Sequence, residues 1–258
     1  MSQTNCNQIL QLASYAGKIM LENGGEIYRV EQVVQHICSA YGIAECDCYA
    51  TPTAIIVSAE GLGDACSARV RRISSRVVNL QKVDKINTFS RNLVSGPLTP
   101  DDAKKELDNI NASPSYSLLI MMLASGAGTA SFTFIFSGGF YEILLAFFVG
   151  ALVRFSVYFL IKQSFGDFFT NLIAGAMCSI FSWLACLTGL TSQLSLLTSS
   201  ALMLLTPGMI FTNALRDMGT GDLVAGISRI IETLCITAAL ACGSFLLYLP
   251  LSILRGVI

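Results

Sequence analysis

TPGMIFTNALRDMGTGDLVAGISRIIE, residues 206 to 232, places proline, an amide and paired charges between the end of one apolar run and the start of the next. Pro207 falls inside the run from Leu194 to Phe211, where it removes a backbone donor and crowds the preceding turn, so a helix here is kinked or interrupted. Interrupted helices at membrane depth survive where protein or a polar cavity satisfies the freed carbonyls, which points to a cavity beside Thr206, Pro207 and Gly208. Asn213, Arg216 and Asp217 follow at once. Arg229 and Glu232 stand three residues apart on one face of the next run.

Outward from this stretch, the chain is too apolar for a soluble domain of its length. It has 258 residues, 53% of them hydrophobic and 13% charged, with a mean hydropathy of +0.62. Eleven of the 16 Lys and Arg and 12 of the 17 Asp and Glu precede residue 115. The pattern divides the protein into a near-neutral domain over 1–115 and a membrane domain over 116–258. Nothing in this balance suggests nucleic acid. MSQTNCNQIL lacks a charged segment followed by an apolar one, so no cleaved signal is expected and the first domain is expected in the cytosol. Nine scattered cysteines read as reduced. Cys46, Cys48 and the lone His36 match no zinc spacing, so no metal and no cofactor are expected.

The N-terminal domain reads as α+β in the order ααβββαα. Apolar residues recur at helical spacing from Ile9 to Met20, and Ile27, Val30, Val33, Val34, Ile37 and Tyr41 form a stripe over Glu26 to Tyr41. Asn23 and Glu26 are expected to supply a cap and its reciprocal acid. Ala44 to Ala50, Thr53 to Ala59 and Ser67 to Ile73 read as strands. Leu80, Val83, Ile86, Phe89 and Leu93 mark a further helix that ends at Gly96-Pro97. Thr99-Pro100-Asp101-Asp102 opens the last one with a cap, an N1 proline and acids at the positive dipole end. The GGE at Gly24 to Glu26 and the GLGD at Gly61 to Asp64 read as turns rather than phosphate loops, because neither follows a strand and opens a helix with the required spacing. Arg69, Arg71, Arg72 and Arg76 read as a solvated basic face that could touch anionic headgroups.

Five apolar runs follow, near 116–136, 143–161, 168–190, 194–212 and 223–250, each about long enough to cross ~30 Å of hydrocarbon. They predict an all-α bundle of five transmembrane helices. With the N-terminal domain inside, the loops at Lys162 and Arg216 are inside and the C-terminus at Ile258 is outside. That satisfies the positive-inside rule apart from Arg255. Ala124-x3-Gly128 and Gly126-x3-Ala130 give the first span small packing faces. Arg154 lies ~18 Å inside the second span. It faces water or substrate there, or forms a structural ion pair, with Glu232 as the candidate partner. Arg229 is close enough to the cytosolic end to snorkel.

ENGGEIYRVEQVV in the second helix, ARVRRIS in the third strand and TPGMIFTNALRDMGTGDLVAGISRIIE together resemble the threonine/serine exporter family, over about Leu10 to Leu249. The resemblance implies a multi-pass protein of the bacterial inner membrane with a cytosolic N-terminal domain. It also implies proton-coupled export of small hydrophilic amino acids, or, in a two-subunit branch, of dicarboxylates such as succinate. Fused members of the family carry a second membrane block after the first. Its absence from this sequence leads to the expectation of a second small membrane subunit of about four or five spans, or of a homo-oligomer.

The residues make a case for transport without the family. A helix N-terminus beside Gly208 would present amides to a carboxylate, with Thr206, Pro207 and Asn213 around it and Arg154 as a compensating charge. Glu232 or Asp217 could carry a coupling proton, and Arg216 and Arg229 complete the charged set. A membrane-anchored metabolite sensor is the second reading. An enzyme is not expected, because no nucleophile and base stand at a recognised spacing.

Overall fold

The computed structural model describes residues 3–254 except 44, 61–65, 75, 97, 115 and 164. The Gly61 to Asp64 loop, Ala44, Pro97, Arg255 and Ile258 therefore lie outside the described residues. Two compact units are present: residues 1–115 with 209–230, and residues 116–208 with 231–258.

In the first unit the elements run α1 (Gln3–Glu22), α2 (Ile27–Ala40), β1 (Cys46–Thr51), β2 (Ala54–Glu60), β3 (Cys66–Arg72), α3 (Leu80–Ser95) and α4 (Pro100–Ala112). They are joined by α9 (Gly208–Thr220) and the start of α10 (Leu223–Leu254). The strands form an antiparallel sheet in the order β1-β2-β3, with Tyr49 opposite Ile56 and Ile56 opposite Val70. Alternation sends Ala50, Ile55, Val57 and Ala59 into the core and leaves Tyr49, Ile56 and Val70 exposed. The stripe from Ile27 to Ile37 is buried as its spacing requires, while Tyr41 is half-buried and donates to the Leu98 carbonyl at 2.9 Å. Leu80, counted in the α3 stripe, is 54% exposed. Position 80 opens the helix, where the chain has not yet turned onto the core.

Thr99 caps α4, with Pro100 at N1 and the Asp102 N–H donating to Thr99 Oγ1 at 3.3 Å. The expected Asn23/Glu26 box at α2 does not form. Glu26 is itself the N-cap, without a side-chain cap bond, and Asn23 closes α1 by donating to the Ile19 carbonyl at 2.7 Å. The basic face is corrected too. Arg71 points to the helix side of the sheet, where Nε donates to Ser14 Oγ at 2.9 Å and the guanidinium lies 5.5 Å from the Tyr15 ring centroid. Cys46 and Cys48 pack against the core beside Cys38. The Cys38 and Cys46 sulfurs are 2.9 Å apart, a hydrogen bond that holds the Cys46 thiol below its ordinary range and pushes Cys38 above it. Burial pushes Cys48 up to about 12. Among the described residues no group of three or more His, Cys, Asp or Glu could hold a metal ion.

The second unit contains α5 (Leu118–Ile135), α6 (Phe140–Lys162), α7 (Asp167–Cys186), α8 (Leu194–Leu205) and the remainder of α10. Small residues set its closest approaches. A Cβ on Gly126 would stand 2.7 Å from the Phe147 carbonyl of α6, and one on Gly175 would land on the Leu240 carbonyl of α10. Ser179 and Ser244 hydroxyls meet at 2.8 Å between α7 and α10. Val149, Val153, Val157, Ala174, Cys178, Ala201 and Leu240 form the inner cluster, while Phe134, Phe140, Leu234 and Leu246 each stand more than 60% exposed. Apolar surface on that scale suits lipid rather than water.

Four of the helices, α5, α6, α7 and α10, are long and apolar enough to cross a membrane individually. Counting the bent pair α8 and α9 as one span gives five. This set of helices is that of a multi-pass membrane protein.

Candidate functional site

The site is built on a turn and on the face of a helix distant in sequence. After α1, Gly24 takes φ +92°, with the Gly24 N–H donating to the Leu21 carbonyl at 3.3 Å and the Gly25 N–H to the Met20 carbonyl at 3.0 Å. This is a Schellman ending, which needs a left-handed residue at Gly24. A Cβ on Gly25 would stand 2.9 Å from the Met20 carbonyl, so only glycine fits. The turn leaves the carbonyls of Gly24 and Gly25 and the carboxylate of Glu26 free to meet α9 and α10.

Spacing on α9 brings Asn213, Arg216 and Asp217 to one face. Asn213 Nδ2 donates to the Gly24 carbonyl at 3.3 Å. Arg216 pairs with Glu26 Oε1, and Arg29, one turn into α2, pairs with Glu26 Oε2 at 2.7 Å. Arg229 of α10 donates from Nη2 to the Gly25 carbonyl at 3.0 Å and pairs through Nη1 with Asp217 Oδ2 at 3.2 Å. Asp217 is wholly buried and Arg229 is 6% exposed. The Ile27 N–H at the positive end of α2 faces the same Asp217 carboxylate. Gly221 ends α9 with a second Schellman turn, which returns α10 alongside α9 so closely that a Cβ on Gly226 would land on Met218. The charges of this cluster are therefore set by two glycine turns and one helical face.

Glu31 extends the cluster along α2. It accepts from the Ala50 N–H at 3.0 Å, and burial, reinforced by the Asp222 carboxylate, raises its pKa above the ordinary carboxylate range.

Four of the residues singled out from sequence thus come together: Asn213, Arg216, Asp217 and Arg229. Arg229 does not snorkel, because the first turns of α10 belong to the first unit and its guanidinium is enclosed there. Glu26, Gly24, Gly25 and Arg29 complete the set. From sequence, the GGE reads as a turn and Glu26 as a capping acid, which gives no sign of their contact with α9 and α10.

The helix break holds Thr206, Pro207 and Gly208. Helix α8 stops at Leu205, α9 resumes at Gly208, and the two segments differ in direction by 48°. Thr206 has φ −59° and ψ 130°, the extended geometry imposed on a residue before proline. Its N–H and its hydroxyl both donate to the Leu202 carbonyl, at 3.1 Å each, while Pro207 leaves the Met203 carbonyl without its intrahelical donor. The run 194–212 is therefore two segments, α8 supplying only 12 residues.

Arg154 is half-buried on α6, and its Nη2 lies 3.1 Å from Met121 Sδ. No carboxylate among the described residues pairs with it, so the Arg154–Glu232 bridge does not form. Glu232 is half-buried on α10, three residues beyond Arg229.

The family model described as "Putative threonine/serine exporter" matches residues 11–249. Among curated proteins, a "Threonine/serine exporter" of Corynebacterium glutamicum is 26% identical over 242 residues, covering 91% of this chain and 50% of the relative. A "Probable threonine/serine exporter" of Mycobacterium tuberculosis is 23% identical, covering 92% and 45%. The chain spans about half the length of these two relatives. A "Probable succinate transporter subunit YjjP" of Klebsiella aerogenes is 21% identical and is covered over 91% of both chains. No solved structure matches.

Proposed function

Because the chain belongs to the threonine/serine exporter family, we propose that it is a membrane efflux subunit exporting small hydrophilic carboxylate metabolites, threonine and serine first, in exchange for protons. The observation that carries this reading is the interrupted α8–α9 segment running into the buried Asp217–Arg229 pair. Discontinuous helices with charged groups beside them are the means by which carriers expose backbone to an anionic substrate. In this reading the N-terminus of α9 at Gly208, with Thr206, Pro207 and Asn213, receives the substrate carboxylate, and Arg154 supplies a compensating charge. Asp217 or Glu232 takes the coupling proton. Arg216 and Arg229 hold the gate against the Gly24–Glu26 turn.

The bent pair counts as one of five spans here, and the protein sits in the bacterial inner membrane with domain 1–115 in the cytosol, domain 116–258 spanning, and the C-terminus outside. Membership of residues 209–230 in the same unit as 1–115 supports placing Arg216 on the cytosolic side. A partner membrane subunit of about four or five spans, or a second copy, completes the path. The word "subunit" in the name of the third relative supports this. That third relative, covered over 91% of its length, also favours succinate or another dicarboxylate as the second substrate reading. Uptake of labelled threonine, serine and succinate into inside-out vesicles, with and without a candidate partner chain and a protonophore, tests the proposal. Protonophore-sensitive uptake of one of them supports it. No uptake under any combination refutes it.

A further inference from the structure

A second site lies in the first unit, away from the glycine turn. A cleft of about 250 Å³ opens between α1, β3 and α4, and its charged and polar lining includes Gln8, Tyr15, Arg71, Asp101, Lys104 and Asp108. On α4, Asp101, Lys104 and Asp108 share one face at helical spacing, and Gln8 and Tyr15 share the facing side of α1. Arg71 is the element out of place. It occupies a helix-facing position of β3, where a strand over a core ordinarily carries an apolar residue.

Its guanidinium is held by Ser14 Oγ at 2.9 Å, by the Gln11 carbonyl at 3.1 Å and over the Tyr15 ring. Among the described residues no carboxylate pairs with Arg71 or with Lys104. Burial and the neighbouring Arg69 both act against the Arg71 charge. Among the described residues the two carboxylates of the cleft are bonded to neutral groups: Asp108 Oδ1 accepts from the Tyr15 hydroxyl at 2.9 Å, and Asp101 Oδ1 from Gln8 Nε2 at 3.1 Å. Two cations and two anions thus line one small cavity without neutralising one another. Such a cavity complements a ligand that carries both charges.

We propose that this cleft binds a free α-amino acid as a zwitterion, its carboxylate on Arg71 and Lys104 and its ammonium on Asp108, at the Tyr15 end of the cleft. Guanidinium and carboxylate pairing supplies the directional anchor at one end. The volume suits a small metabolite, being below the roughly 300–1,000 Å³ of pockets for larger organic ligands. A dicarboxylate is disfavoured, because its second carboxylate would meet Asp101 or Asp108. The site is separate from the helix break and does not depend on the transport reading.

Hydrogen exchange of the full chain in mild detergent localises binding, with L-threonine, L-serine, L-alanine and succinate as probes. At saturation an amino acid slows exchange in peptides covering residues 8–15 and 100–108, and succinate does not. Lys104→Met, at an exposed position that leaves the fold intact, raises the concentration for half-maximal protection by about tenfold. Asp108→Asn does the same. Unchanged exchange in both peptides with all three amino acids overturns the proposal. So does protection by succinate alone, or protection that survives both substitutions at the wild-type concentration. Vesicle flux does not enter this readout, so loss of the transport reading leaves it standing.

Discussion

Replacing Arg229 with methionine keeps the length of the side chain and removes its charge. In the native structure Arg229 Nη1 is 3.2 Å from Asp217 Oδ2, with 7% and 0% of the two side chains exposed, and Nη2 is 3.0 Å from the Gly25 carbonyl. Arg229→Met therefore leaves a carboxylate with no solvent contact and without the cation that pairs with it. Breaking such a pair from one side costs roughly 3–5 kcal/mol. At ~2–4 °C per kcal/mol for a chain of this size, the midpoint of thermal unfolding should fall by roughly 6–20 °C. The double variant Arg229→Met with Asp217→Leu removes both charges, and its midpoint should recover most of that loss, since an apolar pair of similar volume is often neutral or better. Circular dichroism in mild detergent measures both. The reasoning is refuted if Arg229→Met alone melts within ~2 °C of the parent, a cost of under about 1 kcal/mol, or if the double variant is less stable than the single.

Gly25→Ala should cost about 1–3 kcal/mol by overpacking, because its Cβ meets the Met20 carbonyl at 2.9 Å and backbone cannot yield as a side chain can; the same melting assay reads it. Pro207→Ala restores an N–H for the Met203 carbonyl, so the melting midpoint should hold or rise while export falls. Unchanged export would remove the helix break from the mechanism. Glu31→Gln removes a titrating carboxyl from this cluster. The raised carboxyl holds its proton more tightly when folded, so the parent loses stability as pH rises from the ordinary carboxylate range through the folded pKa. The variant keeps an acceptor for the Ala50 N–H and should show a flatter melting curve over that window, with higher stability at neutral pH than the parent.

What was legible in the sequence was local or periodic. The α2 stripe, the Thr99-Pro100 cap and the break at Pro207 each follow from residues within a few positions of one another, where propensity and sterics decide. Glu26 shows the limit. Its spacing from Asn23 imitates a capping box, but the Schellman turn at Gly24 assigns Asn23 to the end of α1 and turns Glu26 toward Arg216, 190 positions away. No local rule encodes that pairing. Arg71 reads as solvated from its arginine-rich strand, yet strand alternation places it on the inner face beside Ser14. Arg229 reads as a snorkelling residue from its place near the start of an apolar run. The helix is 32 residues long, more than a span needs, and its first turns pack with the first unit instead.

The central claim is that the Gly24–Glu26 turn and the charged face of α9 and α10 act as one element in export. A double-mutant cycle on export rate tests it most directly, using Glu26→Gln, Arg216→Gln and the pair in inside-out vesicles that support flux of the parent. Each single should lower the rate by about tenfold with membrane levels unchanged, and the double should be no worse than either single, since both remove the same contact. Parental rates in both singles, or losses that multiply in the double, would contradict the account.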